Sequence, residues 1–343
     1  MCDSAIACSK VMDESNGEIV EGELTCSEGH RFPVIRGIPR LLEPDLLDET
    51  LSRFHPQHSP SKSEPNGRND ADNAILKKTL KSFGYQWNVF SEMYAHWEEN
   101  FRSYFEPLLT PAQFKDKLIL DAGCGFGRHA YYAAKFGGEV VAMDLSEAVE
   151  AAYVNTAEFP TVHVIQANIY RPPLRPMFDL VYCVGVIQHL PNPRTGFISL
   201  TGLLKKGAVL FVWVYGQRRG IYRVVDLMRK GTVHLPLRIL YPLTFALNIV
   251  SHVLFSWPHT LLSHFPGLNR VAALWPFKRY AELPFRVGHA DWFDRLSAPS
   301  TVYFSKDEVA GWFDETGLQN VKIQSRENIG WRGLGQVPRN AVE

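Results

Sequence analysis

With 343 residues the chain is longer than one minimal domain and too short for three, so one main domain with appendages is expected. A hydrophobic share of 45% with 21% charged residues is ordinary for a soluble globular protein. Thirty-six Lys and Arg offset thirty-six Asp and Glu, so no global charge draws the chain to nucleic acid, although a local basic patch stays open.

The five cysteines, Cys2, Cys8, Cys26, Cys124 and Cys183, show no even spacing of the kind a disulfide framework has, and a reducing cytoplasmic location is expected. The first ten residues hold no long apolar run, so no signal peptide is expected. The most apolar stretch, residues 235–257, is interrupted by Pro236, Arg238, Pro242, Asn248 and His252. A spanning helix needs about 20 predominantly apolar residues. No transmembrane segment is therefore expected, while contact with a membrane surface stays open.

In chain order, residues 1–45 hold three of the cysteines and end in the apolar segment 32–42. Residues 55–74 are rich in Pro, Ser, Asn and charge, which predicts a flexible linker. Residues 75–116 carry Phe83, Tyr85, Trp87, Phe90, Tyr94, Trp97, Phe101, Tyr104 and Phe105 at mostly helical spacings. They predict helices that pack on the main domain, some of whose rings could also cover an active site.

From residue 117 short apolar strands alternate with helices. Strands are predicted over 117–121, 140–144, 162–167, 178–184 and 208–215, with helices over 128–136, 146–154 and about 194–204. This alternation implies a doubly wound, mostly parallel α/β sheet covered on both faces. Residues 216–300 break the pattern with a hydrophobic helical insert in which repeated prolines predict short helices. The insert reads as a second small core, a dimer interface, or a lid that makes an apolar pocket. Residues 301–343 complete the main domain: Ser305 and Glu308 form a capping box, a helix runs to Gly317, and strands follow over 320–325 and 331–337. There is no internal repeat.

The chemistry concentrates where the first of these strands ends. Asp121-Ala-Gly-Cys-Gly-Phe-Gly127 puts a carboxylate at the strand end and three glycines in the turn to a helix, and a second carboxylate, Asp144, ends the next strand. Strand ends of this kind are where parallel sheets bind ligands. A dinucleotide fingerprint can also be laid on Gly125, Gly127 and Ala130, but Asp121 ahead of the turn suits an ammonium group better than a pyrophosphate.

The segments DAGCGFG (121–127), VVAMDLS (140–146) and FDLVYCVGVIQHL (178–190) resemble motifs of class I S-adenosylmethionine-dependent methyltransferases, within them the ubiquinone and menaquinone methyltransferase-like group. The resemblance covers roughly residues 117–215 and continues more weakly to about 337. It implies a Rossmann-like seven-stranded sheet and S-adenosyl-L-methionine as cofactor. Asp121, Gly123, Cys124, Gly125 and Gly127 would surround the amino-acid end of the cofactor. Asp144 would accept from both ribose hydroxyls with Leu145 beside it, and Ile169 would pack on the adenine. Val184 would face the same site. Asn168 stands where the family usually has Asp, and its amide keeps an acceptor oxygen for the adenine amino group.

Methyl transfer is an in-line displacement that needs alignment and exclusion of water more than a fixed catalytic signature. A base is needed only for a nucleophile that keeps its proton. Candidates near the chemistry are His189, after the fourth strand, and His289 with Asp291 in a stretch of alternating charges and aromatics. The blander reading of that stretch is a polar network that holds the insert together. His129 reads as structural.

Near the N-terminus, Cys26-Ser-Glu-Gly-His30 and residues 32–42 resemble the end of a Trm112-like zinc ribbon. A tetrahedral zinc site usually needs a C-x2-4-C pair as well. Ala5 and Val11 occupy the positions such a partner of Cys8 would take, and Cys2 lies six residues away. A degenerate ribbon without bound metal is expected.

The leading expectation is a methyltransferase acting on a small or lipid-like metabolite. A ribosomal- or transfer-RNA base methyltransferase and a cofactor-binding partner without activity are the rivals. Oligomeric state is left open.

Overall fold

The computed structural model describes residues 4–54, 70–217, 222–275 and 278–339. The chain forms two compact units, Met1–Gln217 with Ser300–Glu343, and Arg218–Pro299.

The first unit opens with a four-stranded antiparallel meander, β1 (Ile6–Ser15), β2 (Glu18–Cys26), β3 (Arg31–Ile35) and β4 (Ile38–Leu41). Its hairpins at Asn16-Gly17 and Arg36-Gly37 have positive φ at both turn residues, the backbone that tight two-residue hairpins require. α1 (Pro44–Phe54), α2 (Asp70–Val89) and α3 (Trp97–Phe105) follow. The linker expected over 55–74 is therefore too long at its C-terminal end, because residues 70–74 are helical; its remainder, 55–69, lies outside the described residues.

The core alternates β5 (Leu118–Ala122), α4 (Arg128–Lys135), β6 (Glu139–Asp144), α5 (Ala148–Thr156), β7 (Val162–Ala167), β8 (Phe178–Val184), α6 (Pro193–Thr201) and β9 (Leu204–Tyr215). The sheet order is β1-β2-β3-β4-β7-β6-β5-β8-β9-β11-β10. Strands β7 to β9 are parallel, and the chain reverses its direction across the sheet between β5 and β8, the switch point at which such sheets bind ligands. α12 (Lys306–Glu315) is closed by the expected capping box: Ser305 N donates to Glu308 Oε2 at 2.7 Å, and Glu308 N to Ser305 Oγ at 3.2 Å. The antiparallel pair β10 (Gln319–Arg326) and β11 (Gly330–Gln336) completes the sheet against β9.

The seven expected strands are all present, but among the described residues the sheet has eleven. β4 pairs in parallel with β7, Arg40 opposite Gln166 and Leu41 opposite Ala167, so the N-terminal meander extends the central sheet instead of standing apart. The junction is held by a fully buried arginine. Arg40 donates to Gln166 Oε1 at 3.0 Å, to the Ile35 carbonyl at 3.1 Å, and to the Glu150 carboxylate. Burying a charge is costly unless it is paired; Glu150 on α5 supplies the pair, while Arg40 Nε has no partner among the described residues.

The second unit contains α7 (Tyr222–Thr232), α8 (Leu237–Ser251), α9 (Trp257–Ser263), α10 (Asn269–Leu274) and α11 (Phe285–Ser297). A π-turn over His252–Ser256 joins α8 to α9, giving one helix, Leu237–Ser263, of 27 residues. The prolines do not break this segment as the sequence led one to expect. Pro242 and Arg238, whose carbonyl loses its partner to that proline, are both exposed, and the π-turn loosens the hydrogen-bond ladder just ahead of Pro258. By length and composition this helix could cross a membrane, contrary to the expectation from its polar interruptions.

Candidate active site

The site grows from the loop between β5 and α4. Gly123 N and Cys124 N both donate to the Met143 carbonyl, at 2.7 and 3.0 Å, which pins the loop to the end of β6. Two glycines are forced by space as well as by backbone. A Cβ on Gly123 (φ 83°) would lie 2.3 Å from the Val186 side chain, and one on Gly127 (φ 84°) 3.0 Å from Ala152 Cα. The Cys124 thiol is buried, and burial raises its pKa well above the ordinary thiol value, so it stays protonated and unreactive.

Three polar side chains end three adjacent parallel strands, Asp121 at β5, Asp144 at β6 and Asn168 just past β7. Asp144 is half-buried. Its Oδ1 accepts from Ser146 N at 2.8 Å and from Ser146 Oγ at 2.7 Å, and its Oδ2 from Gly125 N at 3.0 Å. These donors fix the carboxylate. Each oxygen carries two acceptor sites, so Oδ2 keeps one for a ligand hydroxyl, and a second hydroxyl would share an oxygen with these donors. Burial raises the Asp144 pKa, and the Ser146 and Gly125 donors oppose the rise.

Asp121 is 1% exposed, and its Oδ2 has no hydrogen-bond partner among the described residues. Burial pushes its pKa up to about 8; the Tyr182 hydroxyl on β8 opposes the rise, and the Asp144 charge adds to it. A buried carboxyl with an uncommitted oxygen suits a cation, and an ammonium group there would return it to its charged form.

Asn168 is buried. Its Oδ1 accepts from Tyr170 N at 3.0 Å, and its Nδ2 donates to Glu43 Oε2 at 3.3 Å. The oxygen keeps its second lone pair for an amino group, and the residue that fixes the amide comes from just after the N-terminal meander. Ile169 next to Asn168 is buried, Val184 is buried at the end of β8 on the far side of β5, and the Leu145 carbonyl is held by Gln166 Nε2 at 3.0 Å. A fixed carboxylate, a buried carboxyl with one uncommitted oxygen and an amide along three strand ends fit a nucleoside that carries an amino-acid tail.

α2 covers the loop. A Cβ on Gly125 would lie 3.4 Å from the Trp87 indole, and that ring packs against Phe126 with centroids 5.2 Å apart. Asn155 Nδ2 on α5 donates to the carbonyls of Phe126 at 2.8 Å and Ser91 at 2.9 Å, fixing loop and cover together.

His189 is buried, with Phe83 of α2 at 4.9 Å and Tyr215 at 5.6 Å between ring centroids. Its Nδ1 lies 2.8 Å from the Ser300 carbonyl, which can only accept; the proton is thereby assigned to Nδ1 and the lone pair to Nε2. Next to it, Gln188 is fully buried, with neither amide atom bonded within the described residues. His129 sits among Phe101, Tyr104 and Phe105, and burial drives its pKa well down, as a structural role requires.

His289 and Asp291 are engaged inside the second unit. His289 Nε2 lies 3.1 Å from both Thr244 Oγ1 and the Tyr241 carbonyl, while Asp291 pairs with Arg295 at 2.8 Å and accepts from the Tyr280 hydroxyl. These contacts are those of a packing network.

At the N-terminus, Cys26 Sγ lies 3.3 Å from His30 Nδ1, and Cys8 stands opposite Leu24 on the neighbouring strand. Cys2 lies outside the described residues. Among the described residues no group of three or more His, Cys, Asp or Glu could hold a metal ion.

Sequence reading missed Arg40, Glu43, Trp87 and Tyr182 as parts of this site. Only Trp87 left a signal, as one of the aromatic rings on the predicted covering helices. The other three become relevant through contacts distant in sequence.

Residues 120–212 match the methyltransferase domain family. Over 146 residues the chain is 30% identical to the ubiquinone biosynthesis O-methyltransferase of Coxiella burnetii, covering 38% of this chain and 58% of that one. Over 130 residues it is 28% identical to the ubiquinone biosynthesis O-methyltransferase of Hydrogenovibrio crunogenus, covering 34% and 54%. The chain spans about half the length of these curated relatives. The crystal structure of Burkholderia thailandensis 1,6-didemethyltoxoflavin-N1-methyltransferase aligns with a TM-score of 0.46 at 12% identity, covering 82% of this chain and 98% of that one. The matched segment contains the glycine loop, Asp121, Asp144 and Asn168. The domain built around it is a class I S-adenosylmethionine-dependent methyltransferase domain, and S-adenosylmethionine is its cofactor.

Proposed function

We propose that the protein methylates a small or lipid-like metabolite. The observation that carries the reading is the placement of Asp121, Asp144 and Asn168 at the ends of three adjacent strands, next to a loop whose Gly123 and Gly127 have no room for a side chain. When bound, S-adenosylmethionine supplies an activated methyl group on a sulfonium. Asp121, with Gly123, Cys124, Gly125 and Gly127 around it, is assigned to the ammonium end. Asp144 and the adjoining Leu145 are assigned to the ribose, Asn168 and Ile169 to the adenine, and Val184 to the floor of the site. Trp87 excludes water from the loop.

On the acceptor side we assign His189 the role of base for an acceptor that keeps its proton. Its Nδ1–H is committed to Ser300, so the imidazole would take that proton at Nε2. His289 is assigned to holding α11 against α8, and Asp291 to holding α11 to Tyr280 in the turn before it. The curated relatives named above are ubiquinone biosynthesis O-methyltransferases, which favours a small acceptor.

The test is incubation of purified protein with methyl-labelled S-adenosylmethionine and fractionated cell extract. A labelled organic-soluble metabolite is expected, and label appearing only in RNA would replace this reading with base methylation.

A further inference from the structure

The Leu237–Ser263 helix has its polarity reversed relative to an ordinary helix of a water-soluble protein. The side it buries carries Thr244, Asn248, Ser251 and Ser256, and the side it exposes carries Leu243, Val250, Val253, Leu254, Trp257 and Leu261. Trp257 and Leu261 are 65% and 63% exposed. Three of these side chains are bonded into the unit: Asn248 Nδ2 donates to the Phe285 carbonyl at 2.9 Å, Trp292 Nε1 donates to Ser251 Oγ at 2.9 Å, and Thr244 Oγ1 lies 3.1 Å from His289 Nε2. A large apolar face left outside a packed unit marks a surface that meets another apolar phase.

Charge identifies that phase. From Leu227 to Ala281 there is no Asp or Glu, whereas Lys230, Arg238, Arg270, Lys278 and Arg279 are basic; Arg229 is already paired with Asp226 at 2.9 Å. Two copies meeting face to face across a two-fold axis would bring these like charges together. An anionic bilayer neutralises them while it takes up the apolar face. We propose that the second unit docks on the surface of an anionic lipid bilayer, with the exposed face of this helix in the membrane plane. It lies in the plane and does not cross, because its polar stripe is fixed to α11, which carries Arg286, Asp291, Asp294 and Arg295 and cannot enter hydrocarbon. The proposal is independent of the acceptor's identity.

The test is flotation of the full chain with vesicles of phosphatidylcholine alone and with vesicles rich in phosphatidylglycerol. The protein should float with the anionic vesicles at least about tenfold better, and high salt should release it. The variant Leu254→Glu, Trp257→Glu, Leu261→Glu changes only exposed positions and should lose flotation with an unchanged circular dichroism spectrum. Arg238→Glu with Arg270→Glu, which leaves the apolar face intact, should remove the preference for anionic lipid. The proposal is overturned if the chain floats with neither vesicle, or if the triple variant floats as well as the parent. Resistance to salt with release only by detergent would mean a spanning helix. A dimer that the triple substitution dissolves, with no lipid binding by the parent, would mean that a second copy covers the face.

Discussion

At neutral pH a carboxyl with a pKa near 8 is mostly protonated, and this makes Asp121 a proton-linked element of the site. Its folded-state pKa lies above the unfolded value of about 3.9. The stability this proton contributes is therefore fully present below about pH 3.9 and is lost as pH rises toward about 8. Asp121→Asn removes that loss, so the cofactor-free variant should melt at a higher temperature than the parent at pH 7, by the equivalent of at least about 1 kcal/mol. An ammonium ligand recharges the carboxyl and releases the proton. Affinity for S-adenosylmethionine should accordingly rise as pH climbs from about 6 to about 8 in the parent, and stay flat over that interval in Asp121→Asn. Calorimetry in buffers of different ionisation enthalpy reads the released proton directly; an affinity that is the same at both pH values would remove Asp121 from the ammonium site.

At the scale of elements, α4 and the N-terminal meander each hinge on one buried basic residue. His129 is held neutral among aromatic rings, with a pKa well below its ordinary value. Its contribution to stability is present above about pH 6.5 and is lost as pH falls below it, since unfolding frees the imidazole to take up a proton. His129→Leu should flatten the stability profile of the protein below about pH 6.5, as measured by urea unfolding. Arg40 makes the meander part of the core. Arg40→Ala leaves Glu150, one-fifth exposed, with only Arg36 at 3.8 Å, and also removes the bonds to Gln166 and the Ile35 carbonyl, so the expected loss is about 1–3 kcal/mol. If unfolding of the variant stays within about 0.5 kcal/mol of the parent, the meander is a separate appendage after all.

The core elements were legible because their signals are local. The run ILDAGCGFG ends a strand at a carboxylate and turns on glycines, and the strands at 162–167 and 178–184 fall where their apolar runs place them. β9 was read four residues short, because Lys205 and Lys206 on an otherwise apolar strand look like a loop. The pairing of β4 with β7 spans more than a hundred residues, and no periodicity reports it. The Leu237–Ser263 helix is continuous where its prolines suggest breaks, because a π-turn and solvent exposure accommodate them. At the site the carboxylates were legible from their strand ends. Glu43, Arg40 and Tyr182 were not, since their roles arise only from contacts made in the folded sheet.

For the whole molecule, the two units divide the proposed work. Every residue assigned to the cofactor lies in the first unit, so deleting Arg218–Pro299 and joining Gln217 to Ser300 through a short linker should change cofactor affinity by no more than about twofold. The new junction is short because Gly216 already bridges to Phe304. The same deletion should abolish vesicle binding. Transfer to a lipid-like acceptor should fall with it, since an acceptor dissolved in the bilayer would no longer be encountered there.

The central claim is that the β5 loop, Asp121 and Asp144 form an S-adenosylmethionine site, and titration calorimetry tests it most directly. The parent should bind S-adenosylmethionine at one site per chain and show no heat with NAD. Asp144→Ala removes hydrogen bonds to a charged acceptor that contribute about 1.5–3 kcal/mol, so its affinity should fall at least about tenfold. Binding of NAD in place of S-adenosylmethionine, or an Asp144→Ala variant that binds S-adenosylmethionine as tightly as the parent, would contradict it.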